Sequence, residues 1–280
     1  MEVKVIRTVP EMQSWSSDLR RQGRSVGCVP TMGYLHAGHQ SLIRESARRN
    51  DRTVMTLFVN PTQFAPHEDL SRYPRDFEGD CRKAAEAGAH VVFAPGVEDM
   101  YPSGYQTYVT VDEVSQGMEG AFRPTHFRGV ATVVLKLFAA TRPDVAFFGE
   151  KDYQQLAVIR RMVDDLHLGV EIIGMPTVRE PDGLAMSSRN VYLKPEERRQ
   201  ALAISRALFA AQVAVKAGMT DPKRIAGDAA AAIAEAGLSV DYVEVREANT
   251  LAPLAVVDRP ARILAAARIG NVRLIDNMAL

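Results

Sequence analysis

The chain has 280 residues, 46% of them hydrophobic and 24% charged, which makes it an ordinary globular protein with room for one large core or two domains. Its 34 lysines and arginines balance 34 aspartates and glutamates, so no broad basic field exists to bind nucleic acid or an anionic membrane. Cys28 and Cys81 are too few for a disulfide framework and point to core filling in a reducing, cytoplasmic compartment.

The opening "MEVKVIRTVPEM" carries Glu2, Lys4 and Arg7 among its apolar residues, which is not a signal-peptide pattern. Short β-branched runs then alternate with helical patterns. Strands are predicted at 3–9, 25–31, 53–60, 90–95, 144–150 and 170–178. Helices are predicted at 10–22, 38–50, 76–88, 129–141 and 152–167, with an irregular stretch before the fourth. The run "VATVVLKLFAA" at 130–140 is too short to span a membrane and contains Lys136. Strand runs that are apolar on both alternations and separated by helices argue for a Rossmann-like parallel sheet with helices on both faces. Ligands collect at the carboxyl ends of such strands.

Beyond about residue 180 the pattern changes. "PDGLAMSSRNVYLKPEE" is polar and turn-rich, and Pro195, Glu196 and Glu197 suit a helix start. The alanine-rich segments 198–218 and 223–236 read as helices, and 240–248 and 261–280 as antiparallel strands. The expected division is a Rossmann-like domain over 1–178 and a smaller C-terminal α+β domain over 179–280.

The stretch "VPTMGYLHAGH", residues 29–39, leaves the second strand and opens the second helix at the ligand-binding edge of that sheet. Gly33 and Gly38 let backbone approach a ligand closely, and a helix starting near Gly38 presents N–H groups and a positive dipole end. That is a phosphate site before any side chain is counted. His36 and His39 add donors against the same phosphates, as in-line attack on phosphorus requires when charge redistributes over the transferring group. The pair also admits a structural reading, and a zinc reading that lacks a third ligand at a recognisable spacing. A Walker A loop is excluded, because GxxxxGK[ST] occurs nowhere in the chain.

Other strand ends add polar groups. "FVNPTQF" sets Asn60 and Gln63 just past the third strand, either at a site or in a surface loop. In "FFGEKDYQQ" an apolar strand runs into Gly149, followed by Glu150, Lys151, Asp152, Gln154 and Gln155 at a helix start. Lys151 offers a point charge for phosphate. Asp152 either caps the helix or contacts a ribose or a metal ion, and the glutamines suit the hydroxyls and carboxylate of a small polar acid. Met186, Ser187, Ser188 and Arg189 have the content of a lid over a triphosphate, or of a solvated linker.

"PTMGYLHAGH", "FVNPTQF", "RYPRD", "HFRGV", "FGEKDYQQ" and "MSSRN", in this order between residues 30 and 190, resemble the pantoate–β-alanine ligase (pantothenate synthetase) family. The His-x-Gly-His element alone is shared with nucleotidyltransferases and class I aminoacyl-tRNA synthetases; several motifs together are far more specific. The resemblance implies a two-step ligase. Pantoate carboxylate attacks the α-phosphate of ATP to give a pantoyl adenylate and pyrophosphate, and the β-alanine amine then forms pantothenate and releases AMP.

By the same resemblance, Met32, Gly33, Tyr34, Leu35, His36, Ala37, Gly38 and His39 bind ATP, together with Gly149, Glu150, Lys151, Asp152, Val178, Met186, Ser187, Ser188 and Arg189. His39, His36 and Lys151 form the catalytic set, with His39 as the residue usually assigned as proton donor. Gln63 and Gln155 hold pantoate, and Gln63 also touches β-alanine. The resemblance further implies magnesium accompanying the triphosphate, with no metal-ligating residue assigned, and a homodimer. His126 and Arg128 either line the substrate site or order a loop. A nucleotidyltransferase acting on a phosphorylated acceptor calls for more basic side chains than the neutral Gln63 and Gln155. A nucleotide-binding regulatory module needs the phosphate cradle but neither the glutamines nor the Ser-Ser-Arg loop.

Overall fold

A computed structural model describes residues 3–65, 68 and 70–280. Its elements run β1 (Lys4–Ile6), α1 (Val9–Arg21), β2 (Val26–Thr31), α2 (Ala37–Arg49), β3 (Arg52–Leu57), α3 (Phe77–Ala87), β4 (Val91–Phe93), α4 (Val97–Met100) and α5 (Met118–Phe122). They continue with α6 (His126–Thr141), β5 (Val145–Gly149), α7 (Tyr153–Asp165), β6 (Glu171–Met175), α8 (Pro195–Lys216), α9 (Pro222–Glu235), β7 (Ser239–Glu247), β8 (Ala261–Ile269) and β9 (Val272–Ala279). Local chemistry accounts for many of the boundaries. Thr8 caps α1 through the N–H of Glu11, with Pro10 in the first turn, and α3 stops at Gly88, which adopts a left-handed conformation.

The chain forms two compact units. The first takes in the chain as far as Asp112, then Arg123–Glu150 and Val158–Pro176. Its sheet has the order β1-β4-β3-β2-β5-β6, and every pairing is parallel. Right-handed crossovers settle the layers. Steps from β2 to β3 to β4 run one way along the sheet and place α2 and α3 on one face. Steps from β1 to β2, β4 to β5 and β5 to β6 run the other way and place α1, α6 and α7 on the opposite face. The packing of α2 on α3 and of α1 on α6 agrees with this.

Both alternations of the central strands are therefore buried, as expected of parallel strands. Val29, Met55, Val92 and Phe147 join a core with Leu42 and Ile43 of α2, while Cys28, Val54, Phe93 and Ala146 are buried on the alternate positions. Cys28 is core filler, and burial pushes its thiol up to about 12. The chain leaves β2 toward one face and β5, its neighbour, toward the other. The carboxyl ends of β2 and β5 thus form the switch point of the sheet, where ligands bind in open α/β folds.

The second unit gathers Glu113–Phe122, Lys151–Ala157 and Thr177–Leu280. Its antiparallel sheet has the order β7-β8-β9 and is covered by α8 and α9, with Ile204, Leu208, Ile225, Ile233 and Ile263 in the core. The parallel helix-covered sheet and the smaller antiparallel C-terminal sheet agree with the expected fold. The irregular stretch contains two short helices, α4 and α5, and the fourth predicted helix begins earlier, at His126. Among the described residues no helix is long and apolar enough to cross a membrane.

Candidate active site

The turn that leaves β2 is held from below by one carboxylate. Asp80 of α3, 1% exposed, accepts the N–H of Tyr34 at 2.7 Å and of Leu35 at 2.6 Å. Gly33 (φ +87°) and Tyr34 (φ +52°) are both left-handed, so the chain reverses sharply there. A Cβ on Gly33 would lie 2.8 Å from the Asp80 carboxylate. Glycine is needed here for the fold of the turn itself, whereas the sequence suggested only room for a ligand. Lys83 Nζ donates to the Leu35 carbonyl at 2.9 Å, a second tie from α3. Burial raises the Asp80 carboxyl above its ordinary range against the opposing pull of the two backbone N–H groups and Lys83. Nothing local in the sequence marks this residue, because its partners lie 45 and 46 positions away.

That turn delivers the chain to α2, whose N-cap is His36. Nδ1 of His36 accepts the N–H of Gly38 at 3.1 Å, and Nδ1 of His39 accepts the N–H of His36 at 3.3 Å. The two imidazoles thus form a reciprocal capping box of the kind usually made by hydroxyl and carboxyl side chains. Their ring centroids lie 4.1 Å apart. In a neutral imidazole the nitrogen that accepts carries no proton, so each ring has its proton on Nε2. The Gly38 N–H, expected to face a phosphate, is taken up by His36 instead.

Gln63 ends the turn Pro61–Gln63 that follows β3. Its Nε2 donates to Met32 Sδ at 3.0 Å, which joins it to the β2 exit, and its Oε1 accepts from Asn60 at 3.1 Å. Asn60 is the hub of this turn. Its amide also donates to the Gly129 carbonyl at 3.1 Å, and its Oδ1 accepts from Thr62 N–H and from the Tyr101 hydroxyl at 2.8 Å. From α6, His126 Nδ1 lies 3.0 Å from the Gln63 carbonyl, while Arg123 Nη1 meets His126 Nε2 at 3.2 Å. Arginine has no acceptor, so Nε2 must accept and Nδ1–H must donate to Gln63. Arg123 is itself clamped by Glu68 through two bonds of 2.6 and 2.7 Å. Burial works against ionisation of Glu68, but Arg123 outweighs it and holds the carboxyl below its usual range. His126 therefore orders the loop that presents Gln63, and Arg128 stacks over the Tyr108 ring at 3.9 Å.

The chain leaving β5 passes Gly149 and Glu150 in the first unit. A Cβ on Gly149 would meet no protein atom within 4 Å, so the packing of the chain does not itself call for glycine there. Lys151 and Asp152 belong to the second unit, with their charged ends 3.9 Å apart and Asp152 the more exposed. The two neighbouring glutamines then separate. Gln154 is 3% exposed and spends its amide on the carbonyls of Val114, Gln116 and Gly117 and on the N–H of Glu119. It staples 113–122 to the start of α7, while Gln155, partly exposed, makes none of these bonds. Val178 accepts the N–H of Met186 at 3.0 Å, closing a short hairpin. Ser187 Oγ accepts the N–H of Arg189 at 3.2 Å and opens the turn Ser188–Tyr192, in which Ser188 is buried.

The first unit thus carries Met32 to His39, Gln63, Gly149 and Glu150, and the second carries Lys151, Asp152, Gln155, Val178 and Met186 to Arg189. A parallel sheet with a helix N-terminus and paired imidazoles at its switch point defines an α/β protein of the phosphate-binding, Rossmann-like class. The chain belongs to the pantoate-beta-alanine ligase family, whose sequence model matches residues 4–279. It is 59% identical over 283 residues to the pantothenate synthetase of Myxococcus xanthus (strain DK1622), an alignment covering 100% of this chain and 97% of that protein. It is 50% identical to the Geobacter sulfurreducens pantothenate synthetase, with 99% of each chain covered. Its fold matches the crystal structure of pantothenate synthetase from Thermus thermophilus with a TM-score of 0.90 at 47% identity, covering 99% of each chain. A pantoate-beta-alanine ligase from Francisella tularensis, crystallised in complex with beta-gamma ATP and beta-alanine, matches with a TM-score of 0.83 at 34% identity over 99% of this chain and 97% of that one.

Proposed function

We propose that this chain condenses (R)-pantoate with β-alanine, using ATP, through a pantoyl adenylate. One observation carries the reading: the imidazoles at the switch point cap α2 through Nδ1, which leaves a proton on each Nε2. A carboxylate is a poor acyl donor, because its leaving group would be oxide. In the first step a pantoate carboxylate oxygen bonds to the α-phosphorus and the bond to pyrophosphate breaks. In the second, the β-alanine nitrogen bonds to the activated carbonyl carbon, AMP departs, and the amine loses a proton. Both steps call for positioning and charge stabilisation rather than a covalent enzyme intermediate.

His39, with His36 beside it, donates through Nε2–H to the α-phosphate as charge redistributes, and Lys151 supplies a point charge. Met32 to Gly38, Gly149, Glu150, Asp152, Val178 and Met186 to Arg189 line the nucleotide. Gln63 and Gln155 hold pantoate, and Gln63 also meets β-alanine. Residues of both units thus contribute to the proposed ATP and pantoate contacts. Among the described residues no group of three or more His, Cys, Asp or Glu is placed to hold a metal ion. Magnesium would accompany the triphosphate as part of the nucleotide substrate, with no protein ligand assigned to it. The resemblance of motifs also supports a homodimer in the cytoplasm, in keeping with two free thiols.

Replacing His39 with asparagine separates cap from chemistry. The asparagine Oδ1 replaces Nδ1 as acceptor, but nothing reaches the place of Nε2. Folding should be kept while pantoate-dependent pyrophosphate release slows by roughly 10²–10³-fold, the usual effect of removing one charge-stabilising donor. Turnover equal to the unsubstituted protein would remove His39 from the mechanism. For the overall reaction, AMP should appear one for one with amide, and only when pantoate and β-alanine are both supplied. Steady AMP production without β-alanine would contradict the ligase reading.

A further inference from the structure

Polar side chains buried on a strand need partners, and neighbouring residues point to opposite faces. On β9, the edge strand beside β8, Asp276 and Asn277 are adjacent and each is only 4% exposed. Asp276 binds both terminal nitrogens of Arg179, at 2.6 and 3.0 Å. Arg179 stands at the base of the 178–186 hairpin, where it bridges to Ala185 and donates to the Gly183 carbonyl at 3.1 Å. Met186, Ser187, Ser188 and Arg189 are the residues by which the chain leaves that hairpin. Asn277 donates from Nδ2 to the carbonyl of Lys151 at 2.8 Å. Its Oδ1 accepts from Arg262, whose guanidinium lies 3.7 Å over the Tyr153 ring. The Tyr153 hydroxyl is tied in turn to the Ala248 carbonyl at 2.9 Å.

The geometry points to Asp276 and Asn277 as positioning residues that hold, from one strand, both the backbone of Lys151 and the hairpin base from which Met186 to Arg189 emerge. The inference rests on the proposed nucleotide contacts of those two segments. Both segments are short turns, and neither is part of a sheet that would fix its place. The last strand of the C-terminal sheet supplies that register through two side chains. The C-terminal unit then acts on the chemistry by setting where a cation and two hydroxyls sit.

A double-mutant cycle tests it. Asn277→Asp keeps the shape and the pairing with Arg262 but has no proton to donate to the Lys151 carbonyl. It is combined with Lys151→Ala, and affinity for a non-hydrolysable ATP analogue and pantoate-dependent pyrophosphate release are both measured. Asn277→Asp alone should weaken the analogue about 10-fold and slow release by roughly 10–100-fold, because a misplacement near 1 Å has effects of that order. In the Lys151→Ala background the same substitution should change either quantity by less than about 2-fold, since a residue acting through another is not additive with it. Additive losses, or an unaffected single variant, would overturn the inference. Asn277→Ala is read in the same cycle if the aspartate variant unfolds. If the unsubstituted protein binds the analogue but pantoate elicits no pyrophosphate, the ligase reading fails, and the cycle in affinity still decides the positioning. If it binds no analogue, both fall.

Discussion

Alanine at Gly129 is expected to lower both stability and activity, although the residue touches no proposed substrate. A Cβ there would lie 2.5 Å from the Thr62 carbonyl oxygen, 2.7 Å from its carbon and 2.8 Å from the Gln63 Cα. These are backbone atoms and cannot swing aside, so α6 and the Pro61–Gln63 turn must separate. The Gly129 carbonyl also accepts the Asn60 amide that orders the same turn. Overpacking of this kind costs about 1–3 kcal/mol. Gln63, the proposed pantoate contact, is carried away from its place, and displacement of such a group lowers turnover by on the order of 10²-fold. Thermal unfolding and kcat/KM for pantoate measure the two effects. A variant with unchanged kcat/KM would contradict the role given to Gln63.

Removal of the Asp80 carboxylate should be the other large loss. Asp80→Ala leaves the N–H groups of Tyr34 and Leu35 without their acceptor beside a buried core, a penalty of about 1–3 kcal/mol for each group. The left-handed turn at Gly33 and Tyr34 then loses the anchor that aims the chain at the His36 cap. Asp80→Asn keeps one acceptor and should fall between the two. The pH dependence separates charge from hydrogen bonding. Because burial raises the folded-state value, the folded protein holds this proton more tightly than the unfolded chain does. Stability from this group is present below the ordinary carboxylate value and is lost as pH rises through the raised one. Asp80→Asn should abolish that decline in urea unfolding measured across the acid range, and its persistence would assign the decline to another group.

The sheet was legible because its strands are buried on both faces and each is a nearly unbroken apolar run. Val29, Met55, Val92 and Phe147 announce themselves on one alternation, and Cys28, Val54, Phe93 and Ala146 on the other. The His36–Gly38–His39 turn was legible for a similar reason, since its chemistry lies within four consecutive residues at a strand end. What was not legible depends on partners far along the chain. Asp80 looks like any acid in the first turn of a helix until its two backbone donors are known. The 113–122 segment reads as irregular because Gln154, and the pairing of Glu119 with Arg273 at 2.6 Å, fix it from outside. Gln154 and Gln155 are identical in sequence terms and diverge only when the helix gives each its direction. His126 could be assigned to loop ordering only once its ring was seen against the Gln63 carbonyl.

In the proposed reaction, acyl activation precedes amide formation at the histidine-capped switch point. Pyrophosphate release followed in a single turnover, with purified protein, ATP, magnesium and pantoate and before any β-alanine is added, tests it most directly. The adenylate route predicts a burst of pyrophosphate with no AMP, then AMP and amide together once β-alanine arrives. Pyrophosphate that appears only after β-alanine is present, at the same rate as amide, would contradict it.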